Sequence, residues 1–169
     1  MTPETFCDVF ERLERGQVRY VVIGGVATVL RGHVRPVADL DFAVERTAAE
    51  MGRATDELLA LGFVPTIPLP LSDLTVLRMF DRARREVNVF FRLYVPFAEL
   101  WASSQRVRVG GGVARVASLE HLLRAKRIDV RPQDLLDISG LESLRADGGR
   151  GGDAAAAAGE RDESADEAG

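Results

Sequence analysis

Two aspartates one residue apart are the side chains best suited to chemistry in this sequence. Asp39 and Asp41 lie in an alternating segment that predicts a strand over residues 40–44. Side chains two positions apart point to the same face of a strand, so the carboxylates converge while Leu40 and Phe42 face the core. Converging carboxylates are the oxygen ligands that hard divalent cations bind. The pair therefore predicts a site for Mg²⁺ or Mn²⁺.

A Gly-Gly turn precedes this pair. Residues 19–24 form a β-branched run that predicts a buried strand, and residues 25–30 predict a short helix after it. Thirteen residues separate Gly25 from Asp39. Glycines let backbone N–H groups approach a phosphate closely, and a helix N-terminus adds partial positive charge. Gly24 and Gly25 are therefore predicted to bind the phosphates of a nucleotide beside the metal site.

The order and spacing of these residues resemble the signature of the minimal nucleotidyltransferases of the polymerase-β-like superfamily. The match runs from Ile23-Gly24-Gly25 to Asp39-Leu40-Asp41. It is most similar to the stand-alone bacterial branch associated with toxin–antitoxin and abortive-infection systems, which carries an arginine shortly before the two acids. Arg35 matches that arginine, and the resemblance implies that it binds the nucleotide. Val37 stands where this branch has threonine.

A later segment of the chain extends the resemblance. Residues 118–123, Lys126, Arg131, residues 134–138 and Leu141 follow the order of a second family motif. The resemblance implies that Lys126 meets the triphosphate as a catalytic and nucleotide-binding residue; it is also the only lysine among 22 basic residues. Asp134 has two open interpretations, a site residue or a solvated helix charge. Asp137 is interpreted as a solvated charge near the start of the same helix.

One position departs from the superfamily pattern. A later strand usually supplies a third carboxylate, but the corresponding residue here is Asn88. Asparagine offers a neutral oxygen that can coordinate Mg²⁺ but cannot accept a proton from an attacking hydroxyl. Glu86 lies two residues earlier on the same strand face. The sequence therefore leaves the third-ligand position open between Asn88 and Glu86.

The resemblance implies an α+β nucleotidyltransferase fold, with a small mixed sheet, flanking helices and a helical C-terminal part. Hydrophobic periodicity and turn residues predict the remaining elements independently. The predicted helices cover residues 5–14, 47–61 with Thr47 as N-cap, 96–103, 118–127 and 132–144. The predicted strands cover residues 63–67, 75–80, 86–91, 106–109 and 113–116, with a turn at residues 68–70. Strands 75–80 and 86–91 are predicted to form one hairpin, and strands 106–109 and 113–116 a second, smaller one.

The C-terminal segment differs from the body in composition and charge. The whole chain carries a net charge of −4, of which residues 147–169 contribute −5 and residues 1–146 contribute +1. This segment consists almost entirely of Gly, Ala, Asp, Glu and Arg, so it cannot bury enough apolar surface to offset its ordering entropy. The sequence therefore predicts a nucleotidyltransferase-like domain over residues 1–146 and a disordered acidic tail over residues 147–169.

Several classes of site are excluded by composition. A single cysteine, Cys7, excludes an internal disulfide and a Cys-built zinc site and indicates a reducing compartment. The two histidines, His33 and His121, lack metal-ligand spacing. Neither GxxxxGK[ST] nor GxGxxG occurs, so the sequence contains no P-loop motif and no Rossmann dinucleotide-binding motif. No apolar run is long enough to span a bilayer, and the N-terminus does not resemble a signal peptide, so a cytoplasmic location without membrane partners is expected.

The resemblance implies transfer of a nucleoside monophosphate from an NTP to an acceptor hydroxyl, on RNA such as a tRNA 3′ end or on a protein. A toxin–antitoxin context, with a cognate toxin or antitoxin partner, is part of this expectation. Two alternatives remain open. Asn88 and Val37 favour a catalytically impaired nucleotidyltransferase fold that acts as an antitoxin-like or regulatory binding partner. A small α+β interaction module that binds no nucleotide is the other.

Overall fold

The computed structural model describes residues 1–67, 73–128, 130 and 132–157. In this part of the chain, six α-helices surround a seven-stranded mixed sheet of order β3-β4-β5-β2-β1-β7-β6. The strands are β1 Tyr20–Ile23, β2 Asp39–Val44, β3 Val64–Pro65, β4 Val76–Phe80, β5 Glu86–Phe90, β6 Gln105–Val109 and β7 Gly112–Val116. The helices are α1 Cys7–Arg15, which follows a 3-10 turn Pro3–Phe6, α2 Gly24–Leu30, α3 Ala48–Ala60, α4 Phe97–Ser103, α5 Leu119–Lys126 and α6 Pro132–Ala157.

The centre of the sheet combines both strand directions. β2 pairs with β1 in antiparallel and with β5 in parallel orientation, and β1 pairs in parallel with β7. The predicted β4–β5 and β6–β7 hairpins are both present. This mixed sheet with flanking helices confirms the predicted fold class.

Two elements differ in length from the prediction. β3 has two residues instead of five, because this edge strand pairs with β4 at only two positions. Helix α6 continues to Ala157 instead of ending at Leu144. Four glycines between residues 148 and 152 disfavour a helix, which is why local propensity indicated an earlier end. The predicted tail begins within α6. The predicted turn at 68–70, the motif residue Arg131 and residues 158–169 lie outside the described residues.

The core lies between the sheet and the helices that cover it. Phe6, Phe10 and Leu13 are fully buried at the helical spacing that the sequence shows. They pack with strand residues that include Tyr20 and Phe42, whose rings meet edge to face at 5.9 Å. These contacts hold β1 and β2 together beneath the two aspartates.

Side-chain caps determine where two helices begin. The Thr47 side chain accepts a hydrogen bond from the Glu50 backbone N–H at the start of α3, and the Ser118 side chain accepts one from His121 at the start of α5. The second cap matters for the site, because α5 carries Lys126 at its last position. Among the described helices, none has the length and apolar character needed to cross a membrane.

Candidate active site

The two aspartates lie on one face of β2, beside the end of β1. Leu40 and Phe42 are fully buried, whereas Asp39 and Asp41 are half-buried on the opposite face of β2. Antiparallel pairing places Asp41 opposite Ile23, directly before the Gly-Gly turn. The side chains of β2 therefore divide between core and site as strand geometry requires.

Gly24 is required at this turn for two independent reasons. Its φ is +63°, a left-handed conformation that residues with a Cβ rarely adopt. A Cβ at this position would also overlap the carboxylate of Asp41. The next residue, Gly25, has similar restrictions, because a Cβ there would lie 2.9 Å from Nη2 of Arg35. The turn is thus packed directly between a carboxylate and a guanidinium group.

Asn88 lies between the two carboxylates. Parallel pairing of β2 with β5 places Asn88 opposite Asp41. Its Nδ2 donates to Asp39 Oδ2 at 3.2 Å and to Asp41 Oδ1 at 3.0 Å. On its other side, Asn88 Oδ1 accepts a hydrogen bond from Arg78 Nε at 3.2 Å. In this arrangement Asn88 presents an N–H donor, not an oxygen ligand, to the aspartate pair.

Glu86, the alternative third ligand, lies opposite Asp39 in the β2–β5 register. Its carboxylate forms an ion pair with Arg78, with Oε1 3.0 Å from Nε. Both candidates for the third-ligand position therefore lie on β5 opposite an aspartate of β2. Both also contact Arg78 of β4.

Lys126 belongs to a buried charge cluster, which consists of Lys126, Asp134, Asp137 and Arg35. Its Nζ lies 2.9 Å from Asp134 Oδ1 and 2.5 Å from Asp137 Oδ2. The exposed fraction is 9% for Lys126, 2% for Asp134 and 0% for Asp137. Charges buried to this degree need charged partners, and the cluster supplies them.

The interpretation of Asp137 as a solvated helix charge is wrong. Arg35 donates to both of its oxygens, at 2.7 and 2.9 Å, and His33 Nε2 lies 3.5 Å away. Burial alone would raise the pKa of Asp137, but hydrogen bonds from Arg35 and Lys126 outweigh it and hold that pKa below its usual range. Asp137 therefore fixes both cations that the resemblance assigned to the nucleotide.

Sequence reasoning missed Asp137 and Arg78 as contributors to this site. A signal for Asp137 existed, because Asp134, Asp137 and Leu141 recur at the spacing of one helix face, and Leu141 is fully buried. A signal for Arg78 existed in the hairpin register, in which Arg78 lies opposite Asn88. Neither residue could be assigned to the site from the sequence, because the assignment depends on which face of the helix or strand packs against the core.

Two cavities of about 400 Å³ each meet at these residues. Both are lined by Gly24, Asp41, Lys126 and Asp134. The first, called here the polar cavity, is also lined by Gly25, Arg35, Pro36, Val37, Ala38, Asp39 and Gln133. The second, called here the apolar cavity, is also lined by Ile23, Phe90, Arg92, Leu93, Tyr94, Ala117, His121, Leu122 and Ala125.

The side chains of this site supply some of the ligands that one divalent cation needs. Two carboxylates lie side by side, and the missing Cβ of Gly24 makes room for the carboxylate of Asp41. Oxygen ligands of this kind are what Mg²⁺ and Mn²⁺ bind. Within the described residues, no group of three or more His, Cys, Asp and Glu side chains is arranged to hold a metal ion. Asp39 and Asp41 are thus the two residues that would bind the cation.

Comparisons with known proteins identify the fold. No protein-family model and no curated protein matches this sequence. Among solved structures, the lincomycin-bound lincosamide antibiotic adenylyltransferase LnuA superposes with a TM-score of 0.64 at 16% identity, covering 83% of this chain and 96% of that chain. ANT(2")-Ia in complex with adenylyl-2"-tobramycin superposes with a TM-score of 0.60 at 13% identity, covering 85% and 94%.

A third structure, a Thermotoga maritima protein assigned as a nucleotidyltransferase, superposes with a TM-score of 0.59 at 17% identity, covering 84% of this chain and 89% of that chain. In all three cases the likeness spans most of both chains, although the sequences share few residues. The chain therefore has the nucleotidyltransferase fold.

Proposed function

We propose that this protein transfers a nucleoside monophosphate from an NTP to an acceptor hydroxyl, with Mg²⁺ or Mn²⁺ bound by Asp39 and Asp41. The observation that carries the proposal is the composition of the polar cavity. Two carboxylates, the Gly24-Gly25 turn and the cations Arg35 and Lys126 line one cavity of about 400 Å³. A triphosphate with its divalent cation needs this combination of groups.

The polar cavity is proposed to bind the triphosphate. Gly24 and Gly25 carry no side chains of their own, so the backbone N–H groups of this turn are proposed to donate to the phosphates. Lys126 has three N–H donors, and its contacts with Asp134 and Asp137 use two of them. The third is available to an oxygen of the leaving pyrophosphate. Asp134 thus supports the site by holding Lys126 rather than by contacting the nucleotide.

The apolar cavity is proposed to bind the nucleoside. Its walls include Phe90, Leu93, Tyr94 and Leu122, which suit a planar heterocycle and a ribose. It adjoins the polar cavity at Gly24 and Asp41. A nucleotide that crosses this junction would place its α-phosphate beside the aspartate pair.

When bound, the divalent cation would supply neutralisation of charge on the phosphates. The acceptor hydroxyl oxygen attacks the α-phosphorus in line, the bond to the pyrophosphate leaving group breaks, and the hydroxyl proton passes to solvent water. The protein contributes positioning by the turn and charge stabilisation by Arg35 and Lys126. Asn88 cannot accept the hydroxyl proton, and Glu86 could do so only by leaving its ion pair with Arg78.

The acceptor is proposed to be a hydroxyl on RNA, such as a tRNA 3′ end, or on a protein, in the cytoplasm and with a cognate toxin or antitoxin as partner. This part of the proposal is supported by the resemblance of residues 23–41 and 118–141 to the stand-alone bacterial branch. Two of the similar structures carry antibiotics, lincomycin in one and an adenylylated tobramycin in the other. Small hydroxylated antibiotics are therefore included as alternative acceptors in the test.

The test is a transfer assay with each α-labelled NTP and Mg²⁺. Parallel reactions contain total RNA, cellular protein, a lincosamide or an aminoglycoside. Wild-type protein is expected to label one acceptor class, and the Asp41→Asn variant is expected to label none while melting as a folded protein. Absence of label in every reaction with folded wild-type protein would contradict the proposed function.

A second candidate function is a binding partner with impaired catalysis. The observation that favours it is the Asn88 amide, which donates to both carboxylates and leaves the site without a third acid. In this case the wild-type protein binds Mg²⁺–NTP without transfer, and Asn88→Asp switches transfer on. If wild-type protein transfers and Asn88→Asp changes the rate little, this second candidate is wrong.

A further inference from the structure

The β4–β5 hairpin places one arginine against both candidates for the third-ligand position. Arg78 lies opposite Asn88 in the antiparallel register of the hairpin. Its Nε lies 3.2 Å from Asn88 Oδ1 and 3.0 Å from Glu86 Oε1. The Arg78 side chain is 59% exposed, whereas Asn88 is 5% exposed. An exposed guanidinium group therefore donates a hydrogen bond to a buried amide, which in turn donates to both aspartates.

The charges around Asn88 determine which way its amide points. On one side, Nδ2 faces two carboxylate oxygens, which only accept hydrogen bonds. On the other side, Oδ1 faces a guanidinium N–H, which only donates. Rotating the amide by half a turn would place its oxygen against both carboxylates and its NH₂ group against the guanidinium. All three contacts would then become repulsive.

We propose that Arg78 is a positioning residue that locks Asn88 as a hydrogen-bond donor to Asp39 and Asp41, so that Asn88 competes with a divalent cation instead of ligating it. This inference rests on the proposed function, because it takes Asp39 and Asp41 as the metal ligands. A cation that takes Asp39 Oδ2 and Asp41 Oδ1 as its ligands must displace the N–H groups of Asn88 Nδ2. Asn88 can offer its oxygen only if the amide rotates, and Arg78 opposes that rotation.

The test measures Mn²⁺ binding to the nucleotide-free protein, by the electron paramagnetic resonance signal of the free ion. Removing a competitor tightens binding, whereas removing a ligand weakens it. Asn88→Ala is therefore expected to lower the Kd for Mn²⁺ by about five-fold, the change that loss of one net hydrogen bond makes. Asn88→Ser serves in its place if the alanine variant does not fold, since the shorter hydroxyl cannot bridge both acids.

The role of Arg78 is tested by repeating the comparison in an Arg78→Met background. Without the guanidinium, the Asn88 amide is free to turn its oxygen toward the cation. Asn88→Ala is then expected to raise the Kd for Mn²⁺, which reverses the sign seen in the wild-type background. Arg82→Met is the matched control, because it removes an equal charge from the exposed turn of the same hairpin. In that background Asn88→Ala should still lower the Kd.

Three outcomes would overturn the proposal, and they differ in what they say about function. If wild-type protein binds Mn²⁺ and Asn88→Ala weakens binding, Asn88 is a ligand, and the proposed function stands without this inference. The same holds if the sign does not reverse in the Arg78→Met background. If wild-type protein and all variants fail to bind Mn²⁺, the metal site itself is wrong, and both proposals fall together.

Discussion

At the scale of single residues, the buried charge cluster decides how the cations of the site are held. Arg35 and Lys126 come from different elements and meet at Asp137, which has no exposed surface. Removing one partner from a buried ion pair leaves an uncompensated charge, which costs about 3–5 kcal/mol. The cluster therefore supports both the stability of the fold and the geometry of the proposed phosphate site.

Asp137→Asn is expected to lower the free energy of unfolding by about 3 kcal/mol at pH 7. The hydrogen bonds from Arg35 and Lys126 hold the pKa of Asp137 below its usual range, despite its burial. The stabilisation is therefore complete above the unfolded pKa of about 3.9 and is lost as the pH falls through the lower folded pKa. Urea unfolding of both proteins at several pH values measures this, and the difference should shrink in acid.

The control for this prediction is Glu142→Gln on the same helix. Glu142 pairs with Arg127 at the surface, and its side chain is 43% exposed. Exposed pairs contribute about 0–1 kcal/mol, so this variant should unfold nearly as the wild-type protein does. Equal destabilisation by both substitutions would show that Asp137 has no special place in the cluster.

Gly24→Ala is expected to abolish the stabilisation by Mg²⁺–NTP, because the new Cβ occupies the space beside the Asp41 carboxylate. The positive φ adds a cost in unfolding free energy of about 1–3 kcal/mol. Gly62→Ala is the matched control, since Gly62 also has a positive φ, but a Cβ there would meet no described atom within 4 Å. Thermal melts with and without ligand should show the larger destabilisation in Gly24→Ala, which has the added overlap with Asp41, and a ligand response only in Gly62→Ala.

At the scale of elements, α6 connects the fold to the site through one face. Asp134, Asp137 and Leu141 lie on that face and are buried, whereas Leu135 and Leu136 are 60% and 70% exposed. The apolar contact of Leu141 and the ion pairs of the two aspartates hold the same helix against α5 and the segment that follows α2. The packing of α6 against the fold therefore also determines the position of Lys126.

Leu141→Ala is expected to cost about 2–5 kcal/mol in unfolding free energy, because it leaves a cavity under α6. It should also weaken NTP binding, since Asp134 and Asp137 would no longer hold Lys126 firmly. Leu136→Ala makes the same chemical change at an exposed position and should cost less than about 0.5 kcal/mol. Denaturant unfolding and nucleotide titration test both variants. Unchanged NTP affinity in a destabilised Leu141→Ala protein would separate α6 docking from the site.

At the scale of the whole molecule, a metal-binding role and a structural role of the aspartate pair predict different effects on stability. Two like charges on one strand face are unfavourable without a cation. Replacing both Asp39 and Asp41 with Asn should leave the ligand-free protein as stable as before or slightly more stable. It should also abolish the rise in melting temperature with Mg²⁺–NTP, which corresponds to about 2.7 kcal/mol at a ligand concentration of 100 Kd.

Melting curves of both proteins with and without Mg²⁺–NTP test this prediction. A structural role for the acids gives the opposite pattern, in which the double variant is destabilised and the wild-type protein does not respond to the ligand. Such a result would also favour the interaction module that binds no nucleotide. If the acids had a structural role, a nearby arginine such as Arg35 could be their partner, but Arg35 forms an ion pair with Asp137.

The sequence by itself determined the order of the elements along the chain and most of their bounds. Strand alternation placed Asp39 and Asp41 on one face, and the glycines marked the turn before α2. These features depend on neighbours within a contiguous segment, where 3.6- and 2-residue periodicities and backbone preferences act locally. The same reasoning located the cap Thr47, the start of a helix at Ser118 and both hairpins.

Only the tertiary structure decided which charges meet. Arg35 and Asp137 are 102 residues apart in the chain, and Asn88 and Asp41 are 47 residues apart. Local periodicity carries no information on such pairs, because their partners are set by how the sheet and α6 pack. Burial makes these pairings necessary, because a charge or amide that is removed from water needs a hydrogen-bond or ionic partner. The partner can come only from the groups that packing brings close to it. For this reason Asp137 became a partner of two cations and Asn88 a donor to two carboxylates.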